Sequence, residues 1–91
     1  MAPLSLGIIL RELNDAKQRA TYGAVGGVMG QLPRSVMGKL PRIPKYSWVV
    51  LADTHEPSGY SRAQMHPELQ SNAQVIADAA ELRSWLDRRF T

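Results

Sequence analysis

The 91-residue sequence contains no cysteine. This absence excludes disulfides, thiolate metal sites and cysteine nucleophiles, and it fits a protein of the reducing cytoplasm. Long apolar runs are also missing, since no stretch approaches the roughly 20 residues that a membrane-spanning helix needs. The apolar stretch Met1–Leu10 has no basic residue ahead of it, so it predicts no signal peptide. We therefore expect one small cytoplasmic domain over residues 1–91, with no membrane partner.

Acidic residues are missing from a long interval of the chain. No acidic residue lies between Asp15 and Asp53, although the net charge of the whole chain is only +3. The basic residues of that interval are Lys17, Arg19, Arg34, Lys39, Arg42 and Lys45. A basic segment of this kind is typical of a face that binds phosphates. The alternative is a solvated basic surface without a partner.

A pair of short helices is predicted within this basic interval. Thr21 is a suitable cap for the first helix, and Gly30 ends it because glycine adopts the left-handed conformation without steric cost. Pro33 then suits the first turn of a second helix over residues 33–40, whose basic side chains face solvent. A helix, a glycine-containing turn and a basic helix form the outline of a helix-turn-helix.

Two further segments flank the helix pair. Apolar spacing predicts a helix over Leu4–Leu13, capped by Ser5, which would pack across the pair. On the other side, the two prolines of Pro41–Lys45 predict a rigid extended segment. Its basic residues Arg42 and Lys45 either follow a phosphate backbone or belong to a linker between helix and strand.

The rest of the chain predicts a short hairpin and a last helix. Tyr46–Ala52 is rich in strand-forming residues, and a second short strand at Gly59–Ser61 would complete a β-hairpin. A capping box predicts a C-terminal helix that begins at Asp78, whereas Val75-Ile76 fits either a strand or a helix. The expected fold is therefore α+β and mostly helical: a small winged helix-turn-helix domain with a short β-hairpin and a C-terminal helix.

Three short motifs follow one another in the first part of the chain. They are Thr21-Tyr22-Gly23, Arg34-Ser35-Val36-Met37-Gly38-Lys39-Leu40 and Lys45-Tyr46-Ser47-Trp48-Val49-Val50. They resemble the C-terminal domain of the O6-alkylguanine-DNA alkyltransferases and of the alkyltransferase-like proteins, where the motifs are T-Y-G, R-A-V-G-x-A-[LM] and P-C-H-R-V-V. The second motif has two residues fewer before it, and only the two valines of the third motif match. The resemblance covers roughly the first 50 residues.

The resemblance implies DNA binding without repair. Tyr46 stands in the place of the alkyl-accepting cysteine, and Ser47 stands in the place of the histidine that polarises it. The resemblance also implies that Tyr22 presses on a phosphate to help rotate a nucleotide out, and that Arg34 intercalates in place of the extruded base. The predicted DNA-binding residues are Tyr22, Arg34, Ser35, Lys39, Arg42 and Lys45.

Neither a catalytic site nor a metal site is predicted. The candidate ligands lie at irregular spacing in turns, and they are Asp53, His55, Glu56 and His66. No nucleophile–base pair and no carboxylate pair has a useful spacing, so we expect no enzyme and no cofactor.

Two functions are left open by the sequence. The predicted function is non-enzymatic DNA binding of the alkyltransferase-like winged-helix type, with residues 33–40 as the recognition helix and duplex DNA preferred over single strands. The alternative is a small protein-interaction adaptor, of phage or mobile-element origin, on the same helix scaffold.

Overall fold

A computed structural model of the chain describes residues 5–32, 36, 38, 40–71 and 74–90. Within these residues the chain forms three α-helices and three short strands. Their order is α1 (Leu6–Ala16), β1 (Arg19–Thr21), α2 (Tyr22–Met29), β2 (Val49–Val50), β3 (Val75–Ile76) and α3 (Ala79–Arg89). Two 3-10 turns are also present, at Pro44–Tyr46 and Arg62–Gln64. The predicted α+β class is confirmed.

Polar caps begin each α-helix at the predicted residue. The side chain of Ser5 accepts a hydrogen bond from the N–H of Ile8, and Thr21 accepts one from Ala24 at 3.0 Å. Asp78 accepts from the N–H of Glu81 at 2.7 Å. Each cap satisfies a backbone donor that has no partner inside its own helix.

The helix ends agree less closely with the sequence. Gly30 ends α2 with a φ of 71°, as predicted. The first helix continues past Leu13 to Ala16 and ends where Lys17 adopts a left-handed backbone with a φ of 57°. The side-chain oxygen of Asn14, in this last turn, accepts from the indole N–H of Trp48 at 2.9 Å. The second helix of the predicted pair, residues 33–40, is contradicted at the positions that the structure describes, because Val36 and Leu40 lie in bends and Gly38 lies in a turn. The other residues of that range lie outside the described residues. Val36, which is described, is buried in the core.

The three strands form one parallel sheet with β1 in the middle. Ala20 pairs with Val49 of β2 and with Ile76 of β3. Val75 and Ile76, for which the sequence allowed either a strand or a helix, therefore form a strand. The residues of β1 are all buried, as is usual in a parallel sheet, although no strand was predicted there.

The predicted hairpin is wrong. Residues 59–61 form no strand, and β2 pairs with β1 in parallel. The chain after β2 closes into turns instead: the N–H of Leu51 donates to the carbonyl of Glu56, and the N–H of His55 donates to the carbonyl of Leu51. These bonds use the backbone groups that a returning strand would need. The winged form of the fold is therefore not confirmed.

The proline-rich segment is only partly extended. Pro44 begins the 3-10 turn, because its fixed φ suits a first helical position. The N–H of Ser47 then donates to the carbonyl of Pro44 at 3.1 Å. As a result, the strand predicted over Tyr46–Ala52 is confirmed only at its centre, Val49–Val50.

The core lies between the sheet and the helices. Its fully buried large side chains are Trp48, Ile9, Leu10, Leu13, Leu82, Leu86, Val25, Val49 and Val50. Phe90 is 50% exposed, because α3 ends at Arg89 and the backbone leaves the helix there.

Helices α2 and α3 approach most closely where Gly27 faces Ala79. A Cβ atom on Gly27 would lie 2.5 Å from the Cβ of Ala79, so Gly27→Ala must push the two helix backbones apart. We expect the free energy of unfolding to fall by about 1–2 kcal/mol, since overpacking costs about 1–3 kcal/mol and alanine returns up to about 1 kcal/mol of helix propensity. Urea denaturation measures this loss.

A matched control is present in the same helix. A Cβ on Gly23 would meet only the Thr21 hydroxyl oxygen, at 3.9 Å, so Gly23→Ala should leave stability unchanged or raise it by up to about 1 kcal/mol. Adding Ala79→Gly to Gly27→Ala should restore most of the lost stability. Equal stability of the two single variants would contradict the close approach.

An ion pair connects α1 to α3. The Nε of Arg89 lies 2.7 Å from a carboxylate oxygen of Glu12, and the Nε of Arg11 lies 3.5 Å from the other. The hydrogen bond from Arg89 is the main reason that the pKa of the Glu12 carboxyl is lowered.

Because the pKa of Glu12 is lowered, the free energy of unfolding depends on pH in the acidic range. The contribution of the pair is fully present above the ordinary glutamate pKa, about 4.3, and is lost as the pH falls through the lower pKa of the folded protein. Arg89→Gln should therefore cost about 0.2–1 kcal/mol at neutral pH and progressively less in acid. The guanidinium carbon of Arg89 also lies 5.0 Å from the centroid of the Trp85 ring. Denaturation at several pH values measures the loss, and a loss independent of pH would assign it to this packing.

Candidate nucleic-acid interface

Three of the six residues predicted to bind DNA belong to the described part of the chain. Tyr22 is the first residue of α2 and lies where the central strand ends. Arg42 precedes the first 3-10 turn, and Lys45 lies within it. The other three, Arg34, Ser35 and Lys39, lie outside the described residues, so their roles stay predictions.

The loop after β2 brings two of these side chains together. The backbone N–H of Ser58 donates to the Tyr22 hydroxyl at 3.2 Å. The next residue, Gly59, lies against the guanidinium of Arg42: a Cβ at Gly59 would be 2.8 Å from the Arg42 Nε. Gly59 also has a φ of 76°, which favours glycine. Adjacent loop residues thus position side chains from two separate segments.

Two more tyrosines complete this surface. The hydroxyl of Tyr60 donates to the backbone carbonyl of Tyr46 at 3.3 Å. The ammonium of Lys45 lies 5.4 Å from the centroid of the Tyr46 ring, which is a cation–π distance. We call this group the tyrosine–basic cluster, and its members are Tyr22, Arg42, Lys45, Tyr46 and Tyr60.

The cluster carries two positive charges and a protonated phenol. Burial raises the pKa of Tyr60, and the neighbouring Tyr22 acts in the same direction, whereas Arg42 acts against it. Tyr60 therefore keeps its proton at neutral pH. Within the described ranges no carboxylate lies at ion-pair distance from Arg42 or Lys45. Both cations are accordingly open to an anion from outside the chain.

Sequence reasoning missed Tyr46 and Tyr60 as members of the site. It treated Tyr46 as a strand residue in the place of a cysteine, and Tyr60 only as part of the predicted second strand Gly59–Ser61. The available signal was the turn Pro57-Ser58-Gly59, since an isolated glycine indicates a special backbone angle or a close approach. That signal does not say which side chain approaches.

A second polar site lies beside the loop after β2. It is a cleft of about 340 Å³, lined by Glu56, Arg62, Met65, His66, Pro67, Leu69 and Gln70. Two of the four candidate metal ligands of the sequence, Glu56 and His66, therefore share this cleft. Across the described residues, no group of three or more His, Cys, Asp or Glu side chains is placed to hold a metal ion.

Buried residues support the wall of this cleft. Arg19 is only 4% exposed, and its Nη1 donates to the carbonyl of His55 at 3.1 Å and to the side-chain oxygen of Gln70 at 3.3 Å. Burial lowers the pKa of Arg19, but a guanidinium stays charged in proteins. The Trp48 ring packs against His66, with centroids 4.9 Å apart. The cleft is thus built on the core.

Comparisons with protein-family models, curated proteins and solved structures find no match to this chain. The resemblance to the alkyltransferases therefore rests on its three short motifs and stays a prediction. In the part of the chain that the structure describes, no helix combines the length and the apolar character needed to cross a membrane.

Two glycines form a matched pair that tests how Arg42 is held. Gly59 and Gly30 both have positive φ angles, 76° and 71°, so alanine at either position should cost about 1–2 kcal/mol of stability. At Gly59 the new Cβ would displace the Arg42 guanidinium, whereas at Gly30 it meets nothing within 4 Å. We expect similar stability losses, and a several-fold weakening of duplex DNA binding in Gly59→Ala beyond any loss in Gly30→Ala would assign that weakening to Arg42.

Urea denaturation and a fluorescence-anisotropy titration with a labelled duplex measure the two quantities. If both variants bind DNA equally well, the contact between Gly59 and Arg42 has no part in binding.

Proposed function

We propose that the protein is a non-enzymatic DNA-binding module and that the tyrosine–basic cluster contacts the phosphate backbone of a duplex. The observation that carries this proposal is the convergence of Tyr22, Arg42 and Lys45. These residues come from two segments more than a dozen positions apart, and the loop at residues 58–60 brings them to one surface.

The chemistry of the cluster suits a phosphate backbone. Arg42 and Lys45 supply positive charge that no carboxylate of the described chain neutralises. Binding of a polyanion would release condensed counterions, which is the main source of such affinity. Tyr22 lies at the N-terminus of α2, where the helix dipole favours a negative group.

The finer form of the proposal assigns base contacts to residues 33–40. This segment lies just before Arg42 in the chain, so base contacts from it would lie next to the phosphate contacts. Gly30, which ends α2, and the buried Val36 support a reversal of the chain at this point. In this form Arg34, Ser35 and Lys39 face the DNA in an alkyltransferase-like mode. No alkyl group is transferred, because the chain has no cysteine.

A protein-interaction adaptor is the second candidate. It is favoured by two exposed apolar side chains, Leu32 at 59% and Phe90 at 50% exposure. The aromatic residues support it less, because Trp48 is fully buried and belongs to the core. An adaptor would show no salt-dependent affinity for DNA.

The salt dependence of binding separates the two candidates. Each phosphate contact adds about 0.9 to the slope of log K against log salt concentration. Replacing Arg42 and Lys45 together by glutamine should therefore lower the magnitude of that slope by about 2. It should weaken binding to all duplex sequences about equally, since phosphate contacts position a protein without reading bases. Titrations with duplex and single-stranded DNA at several salt concentrations give both results.

A double variant elsewhere controls for net charge. Arg11 and Arg83 lie on α1 and α3 and are exposed. Replacing both by glutamine removes the same two charges and should leave the slope nearly unchanged. An unaltered slope in the Arg42/Lys45 variant, or an equal change in both variants, would exclude the cluster as the phosphate-binding surface.

A further inference from the structure

The cleft beside the loop after β2 takes no part in the proposed DNA contacts, and its wall carries two opposite charges. The Glu56 carboxylate and the Arg62 guanidinium both line it. Among the described residues neither side chain forms an ion pair or a hydrogen bond. Because the two charges do not pair with each other, each can pair with an opposite charge on a ligand. A ligand that fits both has one positive and one negative group.

The other polar groups of the cleft are hydrogen-bond donors. A guanidinium only donates, so the Gln70 atom that faces Arg19 is the amide oxygen, and the amide NH₂ is the group left for a ligand. In His66, Nδ1 accepts from the N–H of Glu68 at 3.0 Å, so the proton of the neutral ring lies on Nε2. Donors around one arginine suit carboxylate oxygens.

The remaining lining is apolar. Leu69 is buried and Met65 is half-buried, and Pro67 lies between them in the chain. The volume of about 340 Å³ is near the lower end of the range of about 300–1,000 Å³ that is usual for small-molecule pockets. The ligand that fits is therefore small, with an apolar part and few polar groups.

We propose that this cleft binds a free apolar amino acid as its zwitterion. The carboxylate contacts Arg62 and the Gln70 amide, the ammonium group contacts Glu56, and the side chain packs on Met65 and Leu69. A phosphate dianion fits less well because it would lie close to the Glu56 carboxylate. A simple carboxylic acid would leave Glu56 without a partner in the cleft.

Leucine and two analogues test the proposal on the unaltered chain. Isothermal titration calorimetry should show saturable binding of leucine at millimolar concentration or below. N-acetyl-leucine lacks the ammonium group and leucinamide lacks the carboxylate, so each should bind at least about tenfold more weakly. The indole N–H signal of Trp48 should shift in the nuclear magnetic resonance spectrum, because its ring packs against His66.

Two variants assign the two ends of the ligand. Arg62→Gln and Glu56→Gln should each weaken leucine binding at least about tenfold. Glu56→Gln should also reduce the preference for leucine over N-acetyl-leucine, because it removes the partner of the ammonium group. Arg11→Gln is the control for Arg62→Gln, because it also removes one positive charge but lies on α1 outside the cleft. It should bind leucine as the unaltered chain does.

Three outcomes would overturn the proposal. These are the absence of saturable leucine binding, equal binding of leucine and its two analogues, and tighter binding of inorganic phosphate than of leucine. The analogues are compared on the unaltered chain, so the conclusion does not depend on how well the variants fold. DNA binding by the tyrosine–basic cluster uses other residues and would be unaffected by a negative result.

Discussion

The structure depends on the short central strand β1. Its middle residue, Ala20, pairs with Val49 on one side and with Ile76 on the other. The polar residues on either side of Ala20 are buried, and their side chains form hydrogen bonds to other elements. Arg19 donates to the carbonyl of His55 in the loop after β2. Thr21 caps α2 and donates to the carbonyl of Ala77, which follows β3. Three residues thus fix the positions of two strands, one helix and one loop.

The loop after β2 contributes residues to two separate surfaces. Glu56 lies on the side of the cleft, whereas Ser58, Gly59 and Tyr60 contact the tyrosine–basic cluster. The carboxyl ends of parallel strands commonly carry the binding loops of a sheet, because the chain leaves each strand there toward solvent. Here a sheet of very short strands positions the loop that borders both the cleft and the tyrosine–basic cluster.

Signals that act over a few residues were sufficient to predict part of this arrangement. The caps at Ser5, Thr21 and Asp78 depend only on groups within one helical turn, and all three are confirmed. The strand β1 could not be predicted in this way, because Arg19 and Ala20 show no strand alternation. Their burial comes from partners far along the chain.

The same limit applies to the candidate site. Tyr22, Arg42 and Lys45 were chosen for their chemistry, and the structure brings them together. The role of Tyr60 depends on the path of a loop, which no local pattern encodes. The predicted hairpin failed for the same reason, since turn residues do not say which strand β2 will pair with.

The pairing of β1 with β3 also has a kinetic consequence. The bond from Thr21 to the carbonyl of Ala77 joins residues 56 positions apart. Closing so long a loop costs chain entropy before any sheet bond forms, and folds with many distant contacts assemble slowly. The pairing of β1 with β3 is therefore expected to form after the contacts between residues that are close in the chain. A ligand that binds the folded chain at either surface would raise the free energy of unfolding by mass action.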